Sequence, residues 1–173
     1  MPRNIEIKAR ISSIDDLIAR VRAVADQGPW QLPQDDTFFA CAGGRLKLRS
    51  GPEDSGELIY YRRANQAAPK ESSYQRFPTS DPASLRELLT HALGQAGRVQ
   101  KVRTLFLCGR TRIHLDRVAG LGDFLELEVV LAEDELPAQG ITEAHELLRQ
   151  LGIGSAQLIE GSYLDLLAAP RAT

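Results

Sequence analysis

Residues 99–131 read VQKVRTLFLCGRTRIHLDRVAGLGDFLELEVVL. Three runs of alternating polarity, Val99–Leu107, Arg110–Val118 and Phe124–Leu131, are separated by Gly109 and by Gly120-Leu121-Gly122. Alternation bounded by glycine turns is the signature of successive antiparallel strands. Side chains on a strand point to opposite faces in turn. Lys101 and Arg103 therefore share a face. So do Arg110, Arg112, His114 and Asp116, and so do Glu126 and Glu128 with Phe124 in line. Their opposite faces carry aliphatic residues such as Ile113, Leu115, Leu125 and Leu127.

The same pattern recurs upstream. Ile5, Ile7, Ala9 and Ile11 alternate with Glu6, Lys8 and Arg10, predicting an opening strand. Ser13 caps a predicted helix with its stripe at Ile14, Leu17, Ile18, Val21, Val24 and Ala25, stopped by Gly28-Pro29. Residues 30–41 are ambiguous, with Thr37-Phe38-Phe39 favouring an extended path. Gly43-Gly44 reads as a hairpin turn into the strand Arg45–Arg49. Leu58–Arg63 reads as a strand, 65–70 as a loop and Ser72–Phe77 as a short strand. Pro82 suits the first position of a helix whose stripe is Leu85, Leu88, Leu89, Ala92 and Leu93. Thr142 reads as the cap of a helix ending at Gly152, Leu158–Leu167 as a short helix, and 168–173 as a frayed end. The sum is a strand-rich α+β protein of seven or eight strands, with residues 1–173 expected to form one domain.

The chain has 173 residues, with 21 Lys and Arg against 23 Asp and Glu, and is 43% hydrophobic. That composition excludes wholesale disorder. No stretch approaches the roughly 20 apolar residues of a membrane helix. Cys41 and Cys108 form neither a disulfide framework nor a metal cage, and no export signal is visible. A cytoplasmic protein with reduced thiols is the expectation. A net charge of -2 argues against a nonspecific nucleic-acid binder.

The small total conceals segregation. Strand parity can place Lys8, Arg10, Arg45, Lys47, Arg49, Lys101, Arg103, Arg110 and Arg112 on one side, with the acids Glu6, Asp116, Glu126 and Glu128. An ordinary sheet with its charges in water accounts for any one of these strands. If the sheet curls, the collection lines a concave interior. Arginine and lysine there would grip phosphate oxygens, and carboxylates would hold Mg²⁺ or Mn²⁺. Together they point to metal-assisted phosphoryl or nucleotidyl transfer. His91, His114 and His145 have no zinc spacing, so His114 stays outside the expected metal set despite its parity.

At this point the chain resembles the CYTH family, the triphosphate-tunnel enzymes named after bacterial class IV adenylyl cyclase and thiamine triphosphatase. IEIK at 5–8 resembles the end of the family's E-x-E-x-K signature, and RLKLR at 45–49 its basic strand. KVR at 101–103, RIHLD at 112–116 and FLELE at 124–128 are similar to its later strands, in order, and GSYLDLL at 161–167 to its ending. The resemblance spans about residues 3–165. It implies an eight-stranded antiparallel β tunnel with flanking helices. It also implies a divalent metal, Mg²⁺ or Mn²⁺, held by Glu6, Glu126 and Glu128 with Asp116 beside them. Lys8, Arg45, Lys47, Arg49, Arg63, Lys101, Arg103, Arg110 and Arg112 become the expected triphosphate binders, with Lys8 also orienting or deprotonating water.

Three features depart from the family pattern: Asn4 replaces the first signature glutamate, LIYYRR at 58–63 lacks a lysine, and KESSY at 70–74 lacks paired glutamates. Hydrolysis of inorganic or small organic triphosphates is the leading expectation. Conversion of ATP to cyclic AMP and pyrophosphate, and noncatalytic triphosphate binding, stand as alternatives. The expected partner is a small triphosphate, with no nucleic acid or membrane, and an exposed edge or helix could support a homodimer.

Overall fold

The computed structural model describes residues 1–169. Of the end read as frayed, residues 170–173 lie outside the described residues, while Ala168 closes a helix. The elements in order are β1 (Arg3–Arg10), α1 (Ile14–Val24), β2 (Gln27–Phe39), β3 (Arg45–Ser50), β4 (Gly56–Arg63), β5 (Lys70–Thr79) and α2 (Pro82–Leu93). They continue with β6 (Gln95–Cys108), β7 (Thr111–Val118), β8 (Gly122–Val130), α3 (Pro137–Leu151) and α4 (Tyr163–Ala168). The eight strands form one closed antiparallel barrel in the order β1-β5-β4-β3-β2-β6-β7-β8. Closure leaves no sheet edge unpaired and gives every strand an inner and an outer face.

β1 closes the ring, setting Glu6 opposite both Lys70 of β5 and Glu128 of β8. It is buried on both faces. Ile5, Ile7 and Ala9 point outward beneath α1 and α3, while Asn4, Glu6 and Lys8 point inward. The main core thus lies outside the barrel wall. Leu17 and Val21 of α1 and Ala144, Leu147 and Leu151 of α3 pack on Phe106, Ile113, Leu115, Leu125 and Leu127. Ser13 caps α1 as expected, its Oγ accepting from the Asp15 N–H at 3.0 Å. Thr142 does not cap α3, which begins five residues earlier at Pro137; its hydroxyl donates back to the Ala138 carbonyl at 3.0 Å.

Two further expectations change. The segment left ambiguous belongs to β2, 13 residues long, which starts before Gly28-Pro29 rather than after it. Gly28, Pro29 and Pro33 weaken the local strand signal, but pairing with β6 from Gln27 to Phe39 overrides it. The apolar stripe of α2 does not enter a core: Leu88 is 61% and Leu93 42% exposed, and Pro82 is the helix's one buried residue. α2 is instead tied down by Arg86, which donates to Thr37 Oγ1 at 3.1 Å and Ser50 Oγ at 2.6 Å.

After α3 the chain returns to one end of the barrel, where the Ile159 N–H donates to the Lys8 carbonyl at 3.0 Å. Ser162 and Asp165 cap α4 reciprocally. Tyr163 enters the barrel among Phe38, Val99, Val118 and Phe124, its ring centroid 4.9 Å from that of Phe124. Tyr163 fills this end; the start of β2 and the finish of β5 lie at the opposite end.

The seam between α3 and β1 is tight at Gly140. A Cβ there would lie 2.7 Å from Ile5 Cγ1 and 2.8 Å from Leu131 Cδ2. Alanine is better than glycine in a helix by about 1 kcal/mol, whereas overpacking a core costs about 1–3 kcal/mol. Gly140→Ala is therefore expected to lower unfolding stability in urea, by about 1 kcal/mol net. A gain in stability would show that the seam has room.

Candidate functional site

The barrel encloses a cavity of about 240 Å³, lined by residues of all eight strands and by Ser162 and Tyr163 of the plug. Eight Lys and Arg side chains but four carboxylates line it. Their distribution follows from the ring order. β3 stands four strands from β8 in either direction, so Lys47 and Arg49 face Glu126 and Glu128 across the barrel.

The acidic wall is built by β1, β7 and β8. Lys8 Nζ lies 3.0 Å from Glu126 Oε1, and Arg103 Nη2 lies 2.6 Å from Glu126 Oε2. Arg112 Nε donates to Glu128 at 2.8 Å, and Arg63 contacts Glu6 at 2.6 Å. Cross-strand pairing puts His114 beside Glu126. Its Nδ1 is 3.5 Å from Glu126 and 3.9 Å from Glu128, and makes no hydrogen bond. Burial, reinforced by Arg103, pushes the imidazole's pKa down and keeps it neutral. Burial raises the Glu6 carboxyl; Arg63 opposes that, and Glu126 and Glu128 add to it. Burial would raise Glu126 too, but Lys8 and Arg103 hold it well below the usual carboxylate range.

One ligand atom each from His114, Glu126 and Glu128 lies within 4.8 Å of the others. A neutral, buried, unpartnered nitrogen beside two ionised carboxylates is a donor set that suits a divalent cation. The structure thus brings into the cluster a histidine that sequence spacing had excluded. Zinc spacing rules describe ligands close together in the chain, whereas here β-pairing brings them together.

The basic wall is organised by two carboxylates. Asp36 on β2 accepts from Lys47 Nζ and from Arg49 Nε and Nη2, each at 2.8 Å. Asp116 on β7 accepts from Arg103 Nε at 2.7 Å and Nη2 at 2.6 Å, and from the Tyr163 hydroxyl at 2.7 Å. Burial disfavours charge on both acids, yet the adjoining cations keep both well below the usual range. Lys101 Nζ reaches Asp116 only at 3.5 Å and lies 4.9 Å from the Tyr163 ring centroid. Burial and the Arg103 charge push its ammonium down to about 7.

Of the expected site residues, Lys8, Lys47, Arg49, Arg63, Lys101, Arg103, Arg112, Glu6, Glu126 and Glu128 line this one cavity. Three do not. Arg110 precedes β7 in a turn and pairs with Glu135 and Glu143 on the outer surface at 2.5 and 2.8 Å. The alternation does not extend to it because the strand starts one residue later. Arg45 lies at the plugged end, bound to Asp165 at 2.7 Å and Asn65 at 3.1 Å. Asp116 is fully buried behind the lining with both oxygens engaged, so it positions Arg103 and Tyr163 instead of offering a metal ligand. Arg10, on the inward set by parity, is exposed at the strand end and donates to the Leu121 carbonyl at 2.8 Å. Sequence reading missed Asp36, Gln34 and Arg76. The first two sit on β2, where the parity of Phe38 could have revealed them once the strand was recognised.

Comparison with known proteins agrees with this architecture. The CYTH domain pattern matches residues 2–163, and the chain belongs to the CYTH-domain family. It is 25% identical over 170 residues to the adenylate cyclase CyaB of Aeromonas hydrophila, covering 94% of this chain and 87% of that protein. The PH1012 protein of Pyrococcus horikoshii shares the fold with a TM-score of 0.84 at 23% identity, covering 94% of this chain and 98% of that one. HpAC1 from Hippeastrum, described as having a dominant triphosphatase activity, superposes with a TM-score of 0.62 at 16% identity over 88% of this chain and 89% of its own.

The depressed Lys101 gives a proton signature for anion binding. Above about pH 7 this lysine is largely neutral in the free protein, and a polyanion placed beside it favours the charged form. Calorimetry of tripolyphosphate binding at pH 8, repeated in buffers of different ionisation enthalpy, is expected to show proton uptake that Lys101→Met abolishes. The same lysine makes wild-type stability rise as pH increases from about 7 towards the ordinary lysine value near 10.4. Its unfolded form binds the extra proton over that range. Lys101→Met should flatten that rise.

Proposed function

We propose that this protein is a divalent-metal-dependent phosphohydrolase acting on inorganic or small organic triphosphates, with residues 1–173 working as one domain. The observation that carries the reading is the placement of Lys47 and Arg49 directly across a net-cationic cavity from the His114–Glu126–Glu128 cluster. A triphosphate is the small anion that needs both walls at once: fixed cations along its length and a metal-binding face at one side. Tyr163 fills one end of the barrel among Phe38, Val99 and Phe124, which supports a small ligand. No helix among the described residues is long and apolar enough to cross a membrane.

In this reading Lys47, Arg49, Lys101, Arg103 and Arg112 bind and orient the phosphate oxygens. His114, Glu126 and Glu128, with Glu6 beside them, hold Mg²⁺ or Mn²⁺. The bound ion would neutralise phosphoryl charge as a Lewis acid. Lys8, between Glu126 at 3.0 Å and the Tyr163 ring at 4.0 Å, orients the attacking water. Water adds to the terminal phosphorus as the bridging P–O bond breaks, giving orthophosphate and pyrophosphate. A second reading, cyclisation of ATP to cyclic AMP and pyrophosphate, is favoured by the 25% identity to the Aeromonas cyclase.

A product-resolved assay with Mg²⁺ or Mn²⁺ separates these readings. Tripolyphosphate should release orthophosphate, and folded Glu128→Ala and Lys8→Ala proteins should lose at least about a hundredfold in rate. Stoichiometric cyclic AMP and pyrophosphate from ATP would replace the hydrolase with the cyclase. Tight binding with no product under either metal would make the protein a triphosphate binder.

A further inference from the structure

Tyr163 does more than fill an end of the barrel. Its hydroxyl donates to Asp116 at 2.7 Å, and its ring centroid stands 4.9 Å from that of Phe124, with the planes tilted by 58°. A hydrogen bond at the tip and an aromatic neighbour thus fix the ring. Two ammonium groups meet it: Lys8 Nζ lies 4.0 Å and Lys101 Nζ 4.9 Å from its centroid. Both distances are those of a cation–π contact. The lysines come from β1 and β6, which β7 and β8 separate in the barrel, so no strand pairing sets their spacing.

These two lysines are held differently from the other cations of the cavity. Asp36 accepts from both Lys47 and Arg49, Asp116 takes both ends of the Arg103 fork, Glu128 pairs with Arg112 and Glu6 with Arg63. Lys101 reaches Asp116 only at 3.5 Å, and Lys8 shares Glu126 with Arg103. An aromatic face attracts an ammonium through its quadrupole and carries no net charge. It therefore orders a long, flexible lysine without neutralising it. A carboxylate in its place would cancel the charge that an anion needs to meet.

We infer that Tyr163 is a positioning residue of the proposed reaction, its ring face holding the Lys8 ammonium for the attacking water and the Lys101 ammonium for the phosphate oxygens. The inference rests on the triphosphate reading of the cavity. It adds a side chain that acts through the two lysines.

Ring fluorination tests this, because fluorine withdraws π density from the face and nearly preserves the shape. The series is Tyr163→Phe and the same substitution with phenylalanine carrying one, two or three ring fluorines. All lack the hydroxyl, so only the face changes. Imidotriphosphate with Mg²⁺ is titrated by calorimetry at pH 8, where Lys101 is largely neutral in the free protein and is charged beside a bound anion. Affinity is expected to fall stepwise with fluorine count, roughly 2- to 30-fold over the series, the range for one cation–π pair. In the Lys101→Met background that fall should vanish. With tripolyphosphate as substrate, kcat should fall along the series in both backgrounds, because Lys8 remains. 2-Fluorotyrosine at position 163 retains the hydroxyl and covers the case in which Tyr163→Phe does not fold; it should weaken binding relative to wild type. If affinity and kcat stay level across the series, the ring is a filler and the inference is wrong while the triphosphate reading stands. A fall in affinity that persists undiminished in Lys101→Met also overturns it. If the wild-type chain binds no imidotriphosphate, the triphosphate reading falls and the inference with it.

Discussion

The structure turns on one buried guanidinium. Arg103 engages both oxygens of Asp116 and reaches Glu126 at 2.6 Å, with 5% of the residue exposed. Taking three charges out of water is expensive, and such a group persists only when nearly every donor and acceptor is matched. Here the matching links three parts of the fold. Asp116 accepts from the Tyr163 hydroxyl and so anchors the plug, while Glu126 belongs to the candidate metal cluster. Arg103 itself lines the basic side of the cavity. Removing it would leave Asp116 with only the more distant Lys101 and Glu126 with Lys8 alone, and the plug's anchor without its bidentate partner.

This arrangement explains why the barrel can be polar inside. A closed eight-stranded sheet has an interior just wide enough for side chains to fill, and an apolar filling would have been the simplest outcome. The chain instead moves its main aliphatic core outside the wall, between strands β1, β6, β7 and β8 and helices α1 and α3. Stability then comes from the outer face, and the inner face is free to hold charges in a fixed geometry. Asp36 beneath Lys47 and Arg49 does on β2 what Asp116 does beneath Arg103: each spaces cations that would otherwise repel one another. Charges fixed in this way would need little reorganisation on binding an anion.

Much of this was legible because strand parity is strict. The alternations around Glu6 and Lys8, Lys47 and Arg49, Lys101 and Arg103, and Glu126 and Glu128 each reported an inner face correctly, and their shared polarity implied a concave surface. What failed was whatever depended on partners distant in sequence. β2 is punctuated by Gly28, Pro29 and Pro33, and its strand character comes from a long ladder with β6 that no local window contains. Asp36 was lost with it. His114 was set aside by a rule about spacing along the chain, although the register places it directly against Glu126. Arg110 illustrates the opposite error, an alternation extended one residue past the strand. The stripe on α2 shows that helical periodicity proves amphipathicity without supplying a partner: Leu88 and Leu93 stay in solvent while Arg86 holds the helix through Thr37 and Ser50.

Asn4 fits the same electrostatic logic. It lies inside the barrel, 3% exposed, two residues before Glu6 on the same face. Glu6 is already made harder to ionise by burial and by Glu126 and Glu128, with Arg63 the opposing cation. A glutamate at position 4 would add another carboxylate to this wall, and like charges crowded in a poorly solvated space disfavour one another's ionised forms. The amide removes that repulsion and keeps an oxygen, Oδ1, which is buried and without a protein partner. With four carboxylates against eight Lys and Arg around the cavity, the interior keeps a surplus of positive charge that its own acids do not neutralise. Under the proposed function, a multiply charged anion in the cavity would supply that compensation.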